Sequence, residues 1–298
     1  MDGIVYRPPF EAQSLLLEVT KGCSHNGCSF CTMYRDVPFS VRSPEQIGAE
    51  IDEAARLRPD TTRVFLENGD PFVLPAERLL RIADRIHSRF SSVETISMYA
   101  SIPNIRTKTD EELRLLRQAG FNELNIGVES GLDAALVRMN KGYTAREAEK
   151  QCMRLKEAGF DYGANIILGC AGAARCRENA ETSADLLNTI QPYLIFLGTL
   201  HAEPGCSLHE DIDQGSFREC SFGQLLLEQE ILLTRLNQES ALLICTHPSN
   251  VALTEGILPR DREAMLEEVR SAREILSDRL TEIPLRGPEG MVLNGLPV

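Results

Sequence analysis

Six short apolar runs punctuate the first two thirds of this chain of 298 residues, and a helix-like stretch lies between each and the next. The runs are 14–20, 62–68, 95–100, 123–128, 161–168 and 193–200. Ile47, Ile51, Ala54 and Ala55 recur at helical spacing after the first, and Leu79, Ile82, Ala83 and Ile86 after the second. Start signals are local. Ser43-Pro44-Glu45-Gln46 combines an N-cap serine, a proline at the first helical position and a glutamine able to reach back. Thr109 with Glu112, and Thr144 with Glu147, form the same kind of box. Helices are expected over 109–119, 133–139, 144–159 and 178–189. Gln118-Ala119-Gly120-Phe121 and Glu157-Ala158-Gly159-Phe160 echo each other, a glycine stopping each helix before a strand begins. Such alternation predicts right-handed strand–helix–strand units and a parallel sheet. About six units fall short of the eight that close a full barrel.

The pattern changes after Ser221. Residues 222–236 read as a leucine-rich helix, 246–250 as a turn and 260–280 as a further helix, with an irregular tail from Ile283. The expected division is an irregular segment over 1–13, the strand–helix repeat over 14–220 and a helical extension over 221–298. With 43% hydrophobic residues the chain can bury a sizeable core. No apolar run approaches the roughly 20 residues that span a bilayer. Nor does the N-terminus join a charged start to an apolar stretch, so a cytoplasmic protein without a membrane partner is expected. The net charge of −13 argues against a nucleic-acid partner, whose phosphates need Lys and Arg.

Nine cysteines in such a chain read as reduced thiols and metal ligands rather than disulfides. Cys152, Cys170, Cys176, Cys206, Cys220 and Cys245 are scattered and read mostly as small buried residues. Cys23, Cys28 and Cys31 stand together in a loop with Gly22 and Gly27, directly after the first apolar run. A [4Fe–4S] cluster is held by Cys thiolates, normally one for each iron. Three thiolates leave one iron open, which is where a cluster does chemistry instead of only passing electrons. A structural zinc site is the alternative. It wants four ligands, usually as two spaced pairs, and only one pair here has that spacing, with His25 inside the same loop.

In parallel α/β folds, sites form at the carboxyl ends of strands. The residues following the runs are therefore candidates: the cysteines; Glu67-Asn68-Gly69-Asp70-Pro71; Tyr99-Ala100-Ser101; Glu129-Ser130-Gly131; Gly169-Cys170; and His201 to Cys206. Polar, glycine-rich sequence gathers at one rim.

The cysteine loop resembles that of the radical S-adenosylmethionine (SAM) superfamily, in a variant with four residues between the first two cysteines and two between the last. Asn68-Gly69-Asp70-Pro71 stands where members carry a Gly-Gly-Glu-like stretch. Asn125 to Gly131 resembles the fourth-strand stretch of the branch with anaerobic coproporphyrinogen oxidase-like and Elongator-like enzymes. The resemblance implies a partial (β/α)6 TIM-like barrel without a cobalamin-binding domain. It further implies a [4Fe–4S] cluster on Cys23, Cys28 and Cys31 whose open iron binds SAM. One electron from a donor such as flavodoxin or ferredoxin then splits SAM, giving a 5′-deoxyadenosyl radical that abstracts hydrogen. Phe30 would pack near the adenine. Asn68, Gly69 and Asp70 would lie along the methionine part. Glu129 and Ser130 would meet the ribose or methionyl group, and Tyr99 or Ser101 the ribose. His201 as an acid/base group and Cys170 as a hydrogen donor are weighed against a satisfied polar residue and a buried thiol. A compact acidic chain favours a small-molecule or peptide substrate. The alternatives are tRNA or RNA modification, or a non-catalytic iron–sulfur or zinc protein.

Overall fold

Each expected apolar run forms a strand in the structure, a computed structural model that describes residues 7–276. In chain order the strands are β1 (Leu15–Glu18), β2 (Thr20–Lys21), β3 (Ser40–Val41), β4 (Arg63–Glu67), β5 (Thr95–Ala100), β6 (Phe121–Glu129), β7 (Asp161–Leu168), β8 (Leu194–Thr199), β9 (Ala241–Cys245) and β10 (Thr254–Leu258). Eight lie in one sheet in the order β1-β4-β5-β6-β7-β8-β9-β10, while β2 and β3 form a separate antiparallel pair. Neighbours in sequence are thus neighbours in the sheet, as successive strand–helix units require. The fold class is α/β with a mostly parallel sheet. The expected C-terminal helices are present at Phe222–Arg235 and Arg262–Ile275, joined by β9 and β10, which the sequence reading left unassigned. A five-residue apolar run such as Ala241–Cys245 carries no periodicity that separates strand from buried helix. The last turn of the helix expected to reach residue 280, and the tail from Ile283, lie outside the described residues.

The chain divides into two compact units. Within the described residues the first runs to Asn26 and takes in Met33–Gly127 and Lys150–Tyr162; the second takes in Gly27–Thr32, Val128–Glu149 and the chain from Gly163 on. In the first unit β1, β4, β5 and β6 pair in parallel. Alternation sends Leu17, Val64, Leu66, Ile96, Met98, Leu124 and Ile126 to a fully buried face. Helices Pro44–Leu57, Ala76–Arg89 and Asp110–Gln118 turn their own apolar stripes inward through Ile51, Leu79, Ile86 and Leu116. The predicted boxes close at both Ser43/Gln46 and Thr109/Glu112. The amino ends of β4 to β6 are tied by charge: Arg63 bonds Glu11 and Glu123 at 2.6 Å each, and the Ser97 hydroxyl donates to Glu11.

In the second unit β7, β8 and β9 run parallel and β10 closes antiparallel on β9. Helix Phe222–Arg235 packs between helices Cys176–Ile190 and Arg262–Ile275. No helix among the described residues is long and apolar enough to cross a membrane.

Candidate functional site

The first unit carries Cys23 and the ends of β4 and β5. Gly69 meets Cys23 so closely that a Cβ on it would sit 2.8 Å from the Cys23 Cβ and 2.9 Å from the Tyr34 ring. No other residue fits there without displacing the cysteine. Its amide donates to the Gly22 carbonyl at 3.1 Å. Asp70, 2% exposed, gathers donors on one oxygen: the hydroxyl of Ser24 at 2.8 Å, that of Ser101 at 3.2 Å, and the Asn104 amide. The residue after Cys23 is thereby fastened to two strand ends. Asn68 holds this bend with a left-handed backbone at φ +78°, a conformation asparagine tolerates better than most residues.

One face of this unit's sheet carries unsatisfied polar atoms. Phe65 and Glu67 alternate onto the same face of β4, and the Phe65 ring meets that of Tyr99 edge-on at 5.4 Å. Tyr99 pairs in register with Asn125, and Glu67 with Glu18. Glu67 is 1% exposed and Asn125 2%. Glu67 Oε2 and Asn125 Nδ2 find no hydrogen-bond partner among the described residues. Burying such atoms is costly unless something polar satisfies them. Burial, then the Glu18 and Glu50 carboxylates, push the Glu67 carboxyl up to about 7, against the opposing pull of Arg42 and Arg7. The Tyr99 phenol is raised by burial as well.

A raised carboxyl binds its proton more tightly in the folded chain, so Glu67 supports folding fully below the ordinary carboxylate range. That support is lost as pH rises through about 7. Glu67→Gln is therefore expected to raise Tm at pH 8, by at most about 3 kcal/mol of stability. The gap to the parent chain should close toward pH 5, and a gap constant across that range would contradict the assignment.

In the second unit, residues 138–140 clamp the cysteine loop. The Ser29 amide donates to the Met139 carbonyl at 3.1 Å, the Ser29 hydroxyl to the Arg138 carbonyl at 2.8 Å, and the Asn140 side chain to the Gly27 carbonyl at 2.7 Å. From the other side Leu208 N donates to Ser29 O at 2.9 Å. Next in the chain, Lys141 Nζ lies 3.0 Å from Glu129 Oε1, 3.8 Å from Cys28 Sγ and 6.0 Å from the centre of the Phe30 ring. Burial alone would lower the lysine, yet the groups around it, the Glu129 carboxylate first, then Tyr143 and Cys28, hold it well above its ordinary value. Lys141 is thus a fixed cation beside a loop cysteine. Glu129 takes φ +64°, strain on the order of 1–3 kcal/mol for a non-glycine residue, which concentrates at functional sites.

The remaining candidates differ in what they are free to do. Phe30 packs on Leu200, Ala202, Cys206, Leu208 and Phe217. Ser130 is fully buried, its hydroxyl donating to Asn179 and accepting from Leu132 N. Ser101 also caps a one-turn helix by accepting from Asn104 N. Cys170 is fully buried, its thiol pushed well up by burial and the nearby Glu228 carboxylate. Glu228 itself, buried against Asn179 and the Gly169 amide, is pushed up to about 8 by burial. His201 is part-exposed and lies 3.0 Å from Glu203. None of the nine cysteines forms a disulfide; the loop three are part-exposed, whereas the other six are buried. Lys141 and the 138–140 clamp were missed from sequence. The only local signal for Lys141 is its place between two left-handed residues, Asn140 at φ +54° and Gly142 at φ +73°.

The profile of the radical SAM superfamily matches residues 17–172. Heme chaperone HemW of Bacillus subtilis (strain 168) is 27% identical over 156 residues, which is 50% of this chain and 41% of that protein. Ribosomal protein uS12 methylthiotransferase RimO of Caldanaerobacter subterraneus subsp. tengcongensis is 27% identical over 200 residues, 63% of this chain and 42% of that one. This chain therefore spans about two fifths of each relative's length. Among solved structures, coproporphyrinogen III oxidase (HemN) from Escherichia coli, described as a radical SAM enzyme, superposes with a TM-score of 0.54 at 16% identity. It covers 74% of this chain and 52% of its own. HemW, by sequence, supports the coproporphyrinogen oxidase-like branch, while HemN shows the shared fold alone.

Proposed function

We propose that this chain, which belongs to the radical SAM superfamily, holds its [4Fe–4S] cluster on Cys23, Cys28 and Cys31 and cleaves S-adenosylmethionine reductively to take hydrogen from a small-molecule or peptide substrate. The superfamily's cofactors are that cluster and SAM. What carries the reading is the contrast among the nine cysteines: only the loop three are part-exposed. The donor set fits, since three soft thiolates from one short loop are the ligands a cluster with an open iron takes. The Gly69 contact with Cys23 and the unsatisfied atoms of Glu67 and Asn125 also fit a polar group bound nearby.

When bound, the two cofactors supply a carbon radical able to abstract hydrogen. The chain's own work is positioning. Gly69 admits the backbone to Cys23, Asp70 fixes Ser24, and the 138–140 clamp fixes Ser29. Lys141 neutralises negative charge gathering at Cys28 and holds Glu129. Glu67 Oε2 is an acceptor, and Asn125 Nδ2 a donor, awaiting a ligand group. A reductant such as flavodoxin or ferredoxin would supply the electron.

Anaerobic reconstitution should give about four irons per chain, and dithionite with SAM should then yield 5′-deoxyadenosine. Because one relative is a heme chaperone, a second reading is a cluster protein that does not cleave SAM. A reconstituted cluster with no 5′-deoxyadenosine would favour it, and bound zinc without iron would overturn both. RNA modification is the remaining alternative, against which the net charge of −13 weighs.

A further inference from the structure

Beside the loop clamp, wholly within the second unit, lies a cleft of about 270 Å³. The proposed reaction gives it no role. Its walls come from three places: Leu132–Arg138, the small-residue segment Cys170–Arg175 after β7, and Ser216–Arg218. Three of the lining residues are arginines, Arg138, Arg175 and Arg218, in a chain whose net charge is −13.

The arginines keep donors to spare. Arg138 uses one nitrogen on Asp211, at 2.9 Å, while its guanidinium lies 5.7 Å from the centre of the Phe217 ring. Arg175 binds Glu178 through Nε and Nη2, leaving Nη1. Arg218 makes no side-chain hydrogen bond or ion pair among the described residues, although its carbonyl accepts from Ala173 N at 2.9 Å. Guanidinium carries five N–H donors in a planar fork. Three cations against the carboxylates of Asp211 and Glu178 leave the cleft locally positive. The wall of Ala171, Gly172, Ala173 and Ala174 is made of small residues.

The cleft is also mechanically joined to the cysteine loop. Arg138 offers its guanidinium to the cleft and its carbonyl to the Ser29 hydroxyl, 2.8 Å away. Phe217, which also lines the cleft, packs in the same apolar cluster as Phe30. An acidic ligand seated here would lie against the element that clamps the loop.

We infer that this cleft binds a multiply charged oxyanion, a phosphoryl or dicarboxylate group borne by the substrate. That the anion belongs to the substrate rests on the proposed reaction; that the cleft binds an anion does not. The volume suits a small acid or one end of a larger one. Arg138 and Arg175 are each about two fifths exposed, so salt screens the attraction and binding should weaken with ionic strength.

Reconstituted protein titrated calorimetrically with sodium pyrophosphate and with sodium succinate, against sodium chloride at matched ionic strength, tests this. Saturable binding of one or both is expected, and which one binds tells a phosphoryl from a dicarboxylate ligand. Arg218→Ala should weaken it about fivefold, and Arg175→Ala/Arg218→Ala roughly twentyfold, with unchanged melting curves, since both side chains face solvent. No saturable binding of either anion, or equal binding by the double variant, would overturn the inference. The same batch is assayed for iron and for 5′-deoxyadenosine. A batch that cleaves SAM but binds neither anion sinks the cleft alone, whereas one that binds the anion without cleaving SAM sinks the radical reaction alone.

Discussion

Cys28→Ala should strip the protein of its cluster, taking iron from about four per chain to near zero after reconstitution, with the fold retained. One thiolate of three is the whole attachment of one iron, and two thiolates cannot hold a cuboidal cluster against a free chelator. The fold should survive because the loop is held by other groups. Ser29 is fixed through its amide, hydroxyl and carbonyl, Gly27 by Asn140, and Cys31 N donates to Cys28 O at 3.3 Å, a backbone contact that alanine keeps. Unfolding free energy should move by no more than about 1 kcal/mol, the ordinary effect of a part-exposed substitution. Cys152→Ala is the opposite control. That thiol is fully buried, its pKa pushed up to about 12 by burial alone. Truncating it should cost about 1 kcal/mol or more through the cavity left behind, with iron at the parental level. Parental iron in Cys28→Ala, or iron loss in Cys152→Ala, would remove the distinction on which the cluster assignment stands.

What could be read from the chain beforehand was whatever is encoded over a few residues. The helix starts at Ser43 and Thr109 are four-residue devices, and both close as expected. Gly120 and Gly159 stop their helices with φ of +94° and +86°. The six runs became strands because each is apolar, short and bounded by turn residues. What escaped is long-range. The hydrogen bond from Asn140 to Gly27, and the approach of Lys141 to Cys28, each join residues 113 positions apart. Asp70 was read as a ligand contact, yet one of its oxygens is spent on Ser24, Ser101 and Asn104. That is a cluster no spacing rule anticipates. Glu67 stands in sequence as one of several strand-end candidates with no stated role. Only the register, which sets Glu67 beside Glu18 and Tyr99 beside Asn125, shows a polar row where a core would be apolar.

The second large effect concerns the residue that sequence passed over. Lys141→Met should destabilise the fold by about 3–5 kcal/mol, the cost of leaving one partner of a buried ion pair without its counter-charge. The side chains of Lys141 and Glu129 are only 13% and 11% exposed, so solvent does little to screen the stranded carboxylate. Glu129 also sits at φ +64°, a strain the ion pair helps to hold. Methionine keeps the length and the packing over Phe30 and removes only the charge. The double variant Lys141→Met/Glu129→Gln removes both charges and should recover most of the loss, since a neutral pair carries no stranded ion. The cycle separates two jobs. If Lys141 serves only the ion pair, the double variant regains stability and its cluster keeps the parent's reduction potential. If it also offsets the negative charge at Cys28, stability returns while the cluster's reduction potential stays below that of the parent. Equal stability of Lys141→Met and the parent chain would show that the 3.0 Å contact carries no energy, and the electrostatic role given to Lys141 would fall with it.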